Sequence, residues 1–195
     1  MQRPIFLATA LMLLAASPAM AHTGVGAVSG FSVGFGHPIG GLDHVLAMVA
    51  VGILAAQMGG KSLWFVPASF VAMMIVGGLL GMGGVHVPFV ELGIIGSVVV
   101  LGIVIAAGRQ MPMGFAMALV GLMAIFHGHA HGTEMPVTAS GLEYGVGFVL
   151  ATAMLHAVGI KLSISVQKFA EKIAPITVRV SGGIIAAAGA FLFVA

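Results

Sequence analysis

The sequence predicts an all-α integral membrane protein, a six-helix transmembrane bundle that follows a cleavable signal peptide. Its composition is the first observation: of 195 residues, 60% are hydrophobic and only 6% are charged, with a mean hydropathy of +1.20. A soluble domain carries about 25% charged residues. The second observation is that the apolar residues after the signal fall into six runs. Each run is long enough to cross a hydrocarbon core about 30 Å thick.

Residues 1–21, MQRPIFLATALMLLAASPAMA, form the predicted signal peptide. Arg3 begins a short basic region, an apolar stretch follows, and Ala19 and Ala21 supply the small residues of a cleavage site. We expect cleavage after Ala21, which leaves His22 at the new N-terminus and residues 22–195 as a single transmembrane domain. The alternative is an uncleaved first helix.

The six apolar runs are separated by short glycine, proline or charged breaks. The predicted spans lie near residues 32–58, 63–83, 89–108, 112–131, 140–161 and 175–195. All must be helices, because an open strand cannot satisfy its backbone in lipid and the alternating pattern of a barrel is absent. The 30 glycines lie mostly within these runs, which favours closely packed helices.

The charged residues predict the orientation of the chain. If the mature N-terminus is periplasmic, the loops after the first, third and fifth spans and the start of the sixth are cytoplasmic. That side then holds every basic residue of the mature chain: Lys61, Arg109, Lys161, Lys168, Lys172 and Arg179. Because basic residues mark the cytoplasmic side, we expect a multi-pass protein of the bacterial inner membrane with a periplasmic N-terminus.

Acidic residues and histidines have the opposite distribution. The outer side is predicted to hold Asp43, Glu91, Glu134 and Glu143, together with His22, His37, His44, His86, His127, His129 and His131. The chain has no cysteine, so any metal must be bound through nitrogen and oxygen.

The first polar motif is GHPIGGLDH, residues 36–44. His37 and His44 are seven residues apart, which is about two helical turns, and Asp43 precedes His44. Pro38 and the pair Gly40-Gly41 predict an interrupted helix at this point. Carbonyl groups freed by the interruption would be additional ligands.

The second polar motif is FHGHAHGTE, residues 126–134. If the helix continues, His127, His131 and Glu134 lie on one stripe, and His129 points elsewhere. Gly128 and Gly132 fit two alternatives, close helix packing or an early helix end that turns the stripe into a folded loop. Either geometry brings histidine and glutamate together.

The two motifs together predict a metal site, because ionisable groups inside a membrane are rare and usually functional. The alternative is a set of polar groups that hold helices together by hydrogen bonds. For Glu91 the choice is between joining the ligands and a solvated helix end, and for His156 between an exit-side ligand and a helix contact. The sequence also leaves open any role for His22, His86, His129 and Glu143. The predicted metal ligands are His37, Asp43, His44, Glu91, His127, His131 and Glu134.

The donor types narrow the choice of ion. Neutral imidazole and carboxylate without thiolate suit nickel(II), cobalt(II), zinc(II) or copper(II) better than magnesium or calcium. Ligation needs deprotonated imidazole, so binding is expected to weaken as the pH falls through about 6.5.

HPIGGLDH and FHGHAHGTE resemble the two signature motifs of the HupE/UreJ family, HxxxxxDH and FHGxAxGxE. The six-span layout behind a signal peptide, with AHTG at the cleavage point, is also similar to that family. The resemblance implies a secondary nickel permease that supplies metal to hydrogenase or urease, and some relatives handle cobalt. It marks His37, Asp43 and His44 in the first motif, and His127 and Glu134 in the second. His131 occupies a variable position of the motif, so its inclusion depends on the helical stripe.

We therefore expect a transporter that is not an enzyme and that carries nickel(II) from periplasm to cytoplasm, with cobalt(II), zinc(II) or copper(II) as other candidate ions. Its expected partners are the divalent ion and membrane lipid, with no nucleic acid; the sequence leaves open a homo-oligomer. One alternative is an intramembrane zinc-dependent hydrolase, although no HExxH is present. The other is a metal-binding partner subunit without transport activity of its own.

Overall fold

The computed structural model describes residues 30–136 and 139–194, and within them every regular element is a helix. The predicted signal peptide and His22 lie outside these residues. The helices are α1 Gly30–Gly40, α2 Leu42–Met58, α3 Ser62–Met82, α4 Val90–Ala107, α5 Met113–Glu134, α6 Gly141–Phe169 and α7 Ala174–Leu192. The predicted all-helical class is confirmed for the described residues.

Five of these helices, α3 to α7, are long and apolar enough to cross a membrane. Their bounds lie within a few residues of the predicted spans, except that α6 runs on to Phe169, eight residues beyond the predicted end at 161. The remaining span, 32–58, consists of two helices, α1 and α2, bent by 82°. It becomes a sixth span only if the bent pair is taken as one.

The bend is located at Gly41, whose backbone is extended at φ −103° and ψ 123°. Pro38 lies inside α1 just before it and lacks the N–H that would continue the helical hydrogen bonds. Glycine also has a low helix propensity, and Gly40 and Gly41 are adjacent. The predicted interruption of the first span is therefore confirmed, and α2 begins a new helix N-terminus in the interior of the apolar segment.

Glycines determine how closely the helices approach. α3 packs along α5, α4 along α7, and α6 along both α1 and α2. A Cβ atom on Gly128 would overlap the Met74 carbonyl oxygen of α3, and one on Gly132 would overlap the carbonyl of Gly78. Of the two alternatives for the motif glycines, the structure has close helix packing, and α5 stays helical to Glu134.

The two ends of the bundle differ in charge. Among the described residues, every lysine and arginine lies near the α2–α3 turn, the C-terminal ends of α4 and α6, or the start of α7. Arg179 donates from Nε to the carbonyl oxygen of Ala106 at 2.8 Å, which ties α7 to the end of α4. Asp43 and Glu134 lie toward the opposite ends of their helices.

Candidate metal site

The two polar motifs meet where the α1–α2 bend packs near the C-terminal part of α5. One ligand atom each from His37, His131 and Glu134 lie within 4.8 Å of one another. The ring of His44 lies 4.5 Å from that of His131 and 4.9 Å from that of His127, measured between centroids. We call these residues, with Asp43, the polar cluster.

The geometry of α5 explains why one helix contributes three members of the polar cluster. Because α5 is continuous over Met113–Glu134, residues spaced by three and four lie on the same face. His127, His131 and Glu134 therefore form a stripe about 10 Å long, from the 1.5 Å rise per residue. His127 and His131 are buried, whereas the Glu134 side chain is 53% exposed.

His37 and Glu134 form the exposed end of the polar cluster. His37 Nε2 lies 3.1 Å from Glu134 Oε2, and His37 Nδ1 lies 3.0 Å from the hydroxyl oxygen of Tyr144. Because an ionised carboxylate only accepts hydrogen bonds, Nε2–H donates to Glu134. In the neutral ring Nδ1 then accepts from the Tyr144 hydroxyl, so both nitrogens of His37 are engaged.

Asp43 orients His44. Its Oδ1 lies 2.8 Å from the backbone nitrogen of His44 and 2.7 Å from His44 Nδ1. Asp43 is in the first turn of α2, where the partial positive charge of a helix N-terminus stabilises a carboxylate. The bend at Gly41 thus supplies the environment that this charge needs in an apolar segment. Because the carboxylate accepts a hydrogen bond from Nδ1–H, the lone pair of the neutral ring is on Nε2.

Ser97 orients His127 in the same way. The Ser97 hydroxyl donates to the Ile94 carbonyl oxygen at 2.6 Å, and His127 Nε2 lies 2.9 Å from the same hydroxyl oxygen. A hydroxyl has one proton to donate, so Ser97 must accept from His127 Nε2–H. The lone pair of His127 is then on Nδ1, which is buried and has no hydrogen-bond partner among the described residues.

His131 lies between the exposed end and the deeper end of the polar cluster. Its ring is 4.4 Å from that of His37 and 4.5 Å from that of His44, and the Phe148 ring packs against it at 4.0 Å. The residue is 2% exposed. Within residues 30–136 and 139–194, neither of its ring nitrogens has a hydrogen-bond partner. A buried polar atom without a partner costs about 1–3 kcal/mol, which a bound ligand would offset.

The buried part of the polar cluster therefore offers a ligand three imidazole rings, each with one lone pair in its neutral form. Nε2 of His44, Nδ1 of His127 and the nitrogens of His131 are all buried and lack partners among the described residues. Two carboxylates, Asp43 and Glu134, match the charge of a divalent cation. This donor set, neutral imidazole with carboxylate, suits a first-row transition metal of the nickel, cobalt, zinc and copper group.

The remaining candidate residues lie outside this grouping. Glu91 is exposed in the first turn of α4 and is not among the grouped ligand atoms, so its role stays a prediction. His129 points elsewhere, as expected, and donates from Nε2 to the Val85 carbonyl oxygen at 2.7 Å. His86 and Glu143 are exposed, and His156 is buried deeper in the bundle.

Sequence reasoning did not identify Ser97 and Tyr144. Ser97 is the only hydroxyl-bearing residue within α4, and Tyr144 is the only tyrosine of the chain. A lone hydroxyl in an apolar helix was therefore the available signal. That signal could not identify the histidine partners, because His127 is 30 residues from Ser97 and His37 is 107 residues from Tyr144.

Two comparisons with known proteins give matches over nearly the whole chain. The family model described as HupE / UreJ protein matches residues 10–192. The chain is 43% identical over 188 residues to "Protein HupE" of Rhizobium leguminosarum bv. viciae, covering 95% of this chain and 96% of the relative. No solved structure gives a significant match. With its several apolar helices, the chain is a multi-pass membrane protein.

Proposed function

The chain belongs to the HupE/UreJ family, and from this premise we propose that it is a secondary transporter that imports a divalent transition-metal ion. Proteins of this family are permease-like accessory proteins and not enzymes, so the hydrolase alternative is excluded. Nickel(II) is the proposed cargo, in an accessory role to hydrogenase or urease. Cobalt(II), zinc(II) and copper(II) are the competing ions.

One observation carries this proposal: the His44 ring lies 4.9 Å from that of His127 and 4.5 Å from that of His131, and each of the three has a buried ring nitrogen without a hydrogen-bond partner among the described residues. Asp43 accepts a hydrogen bond from His44 Nδ1–H and Ser97 accepts one from His127 Nε2–H, which leaves the other nitrogen of each ring free for a metal. Hydrogen-bonded acceptors behind metal-binding histidines are a general feature of metal sites. A set of histidines that only held helices together would have its nitrogens paired within the protein.

The contacts suggest an order of events. An arriving ion first meets Glu134, the most exposed ligand, and displaces it from His37 Nε2. His131 then supplies the next nitrogen, because its ring lies beside both His37 and His44. The ion loses water as it moves to His44 and His127, where Asp43 contributes negative charge.

The proposed topology places this entry on the periplasmic face of the inner membrane. Residues 1–21 are proposed as a cleaved signal peptide, and residues 22–195 as one domain in which the bent α1–α2 pair is the first of six spans. The basic residues at the opposite end of the bundle support a cytoplasmic location for that end. Transport is then inward.

The proposal is tested by nickel accumulation in cells that lack other nickel importers. We expect Asp43→Asn and His37→Ala to abolish accumulation at a normal protein level, because Asn cannot supply the charge and Ala removes a ligand. Glu171→Gln, which changes an exposed carboxylate in the α6–α7 connection, is the control and should accumulate nickel normally. Unchanged accumulation in both site variants would refute the mechanism.

Reconstitution separates transport from the remaining alternative, a metal-binding partner subunit. Purified protein in proteoliposomes should move labelled nickel without any other protein, and cobalt, zinc and copper should be tested as competitors. A partner subunit would bind nickel and move none.

A further inference from the structure

The histidine at position 156 lies outside the polar cluster, in the interior of α6. His156 is 2% exposed, and the Phe70 ring contacts it edge-on with centroids 5.2 Å apart. The same Phe70 ring lies 5.7 Å from the ring of His127. His156 is therefore the next histidine below the polar cluster.

His156 lies nearer the basic end of the bundle than the polar cluster does. It follows Tyr144, which contacts His37, by twelve residues of continuous helix, or about 18 Å along α6. His127 lies seven residues, about 10 Å, from Glu134 along α5. Tyr144 and Glu134 both contact His37 at the exposed end of the polar cluster. Measured from that end along the helices, His156 is farther away than His127 and is therefore the deeper of the two histidines.

Both ring nitrogens of His156 lack a hydrogen-bond partner in the part of the chain that the structure describes. A neutral imidazole carries one N–H and one lone pair, and both are buried here. Buried polar groups in proteins are nearly always paired. A histidine that served only as a helix contact would have a partner on a neighbouring helix, so this alternative finds no support.

The surroundings of His156 are closely packed, and no carboxylate contact to its ring is described. The glycine pair Gly52 and Gly159 brings α2 against α6 at this level, where the His156 carbonyl oxygen meets Gly52. One turn before His156, the buried Thr152 hydroxyl donates to the sulfur of Met74 at 3.6 Å. Neutral nitrogen, oxygen and sulfur atoms are thus the available donors.

We propose that His156 is an inner relay ligand, which receives the divalent cation from His127 and passes it toward the cytoplasmic end. The inference rests on the proposed function. The polar cluster contains two carboxylates, Asp43 and Glu134, whereas the described donor atoms around His156 are neutral. The ion is therefore bound less tightly as it moves inward. Conduction requires sites that bind weakly enough for the ion to leave, and a neutral imidazole meets that need.

The test compares binding with transport in purified full-length protein. His156→Phe replaces the imidazole with a ring that has no polar atoms, and Val158→Phe adds the same ring two residues away, at an exposed position. In proteoliposomes we expect the His156→Phe variant to take up nickel at least about tenfold more slowly than wild type. In calorimetry we expect the affinity of the variant for nickel to stay within about twofold of wild type, because the polar cluster is intact. Val158→Phe should resemble wild type in both measurements.

A second variant keeps the proposal testable if His156→Phe does not fold. Because the chain has no cysteine, His156→Cys carries a single thiol, and nickel chloride should slow its reaction with a small water-soluble thiol reagent. A thiol that stays unlabelled, or that reacts equally fast with and without nickel, overturns the relay because residue 156 is then off the ion path.

The outcomes distinguish this inference from the proposed function. Wild-type protein that moves no nickel refutes the proposed function, and the relay with it. Wild-type protein that transports nickel together with a His156→Phe variant that transports it equally well refutes only the relay.

Discussion

At individual side chains, the direction of each hydrogen bond determines which nitrogen can bind metal. Asp43 would be costly in an apolar segment as an isolated charge, but it accepts two hydrogen bonds from His44 at the start of α2. Its role in the described geometry is therefore to hold His44 in one tautomer, besides adding negative charge near the ion. Ser97 has the same orienting effect on His127 without any charge.

Ser97→Ala tests this tautomer argument. Loss of the hydroxyl removes the acceptor for His127 Nε2–H, so the ring can rotate or change tautomer, and we expect nickel affinity to fall about 10- to 100-fold. Ser181→Ala is the matched control, because Ser181 makes the same kind of hydrogen bond to the carbonyl three residues earlier, at 2.7 Å from Val178, and has no described histidine contact. Calorimetry with nickel chloride measures the affinity, and equal affinities in the two variants would contradict the argument.

Among the helices, the break between α1 and α2 has the largest consequence for the site. It turns His37 toward Glu134 and Tyr144 while His44 reaches His127 and His131. The bend also creates the N-terminus that accommodates Asp43. Gly41 has negative φ, so its backbone does not require glycine; the missing side chain is what matters, because the side chains of Asp43 and His44 occupy that space.

Gly41→Ala should therefore damage the site while leaving the fold intact. A Cβ atom there would lie 2.7 Å from Asp43 Oδ1 and 3.0 Å from His44 Nδ1, which displaces the carboxylate from His44. We expect nickel uptake to fall about tenfold at a normal protein level. Gly40→Ala is the control, since it makes the same change at the adjacent residue and no heavy atom lies within 4 Å of its added Cβ. If both variants transport equally, the steric argument is wrong.

Across the whole molecule, ligands and basic residues occupy opposite ends of the bundle. The described residues place the polar cluster at one end and every lysine and arginine toward the other. In the proposed orientation the membrane potential drives a doubly charged ion inward with about 4.6 kcal/mol per 100 mV, from about 2.3 per charge. This is enough for accumulation without a nucleotide-hydrolysing domain.

Uptake by proteoliposomes should consequently depend on voltage. An inside-negative potassium diffusion potential is expected to raise the initial rate of nickel uptake several-fold over vesicles at zero potential, because net positive charge moves inward. Vesicles with the His37→Ala variant provide the background. An uptake rate that does not change with the membrane potential but increases with a pH gradient would indicate electroneutral exchange with protons. That result would contradict this prediction.

Local chemistry was sufficient to predict the class of protein, the approximate bounds of α3 to α7 and most of the polar cluster. Apolar runs of membrane length must become helices, and the spacing of His127, His131 and Glu134 places them on one helical face whatever surrounds it. The first motif contributed His37, Asp43 and His44, because ionisable residues in an apolar segment are rare and usually functional. These properties depend on neighbours within a few residues in the chain.

Tertiary structure decided which of these groups touch and what each nitrogen does. The break at Gly41 was predicted from local residues, but its 82° angle was not. The pairing of His37 with Glu134 and Tyr144 and the hydroxyl of Ser97 behind His127 depend on helices that are distant in sequence. Glycine-mediated approach of α3 to α5 and of α6 to α1 and α2 sets those distances. The periodicity of the sequence does not predict such contacts, because they depend on which helix faces pack against each other.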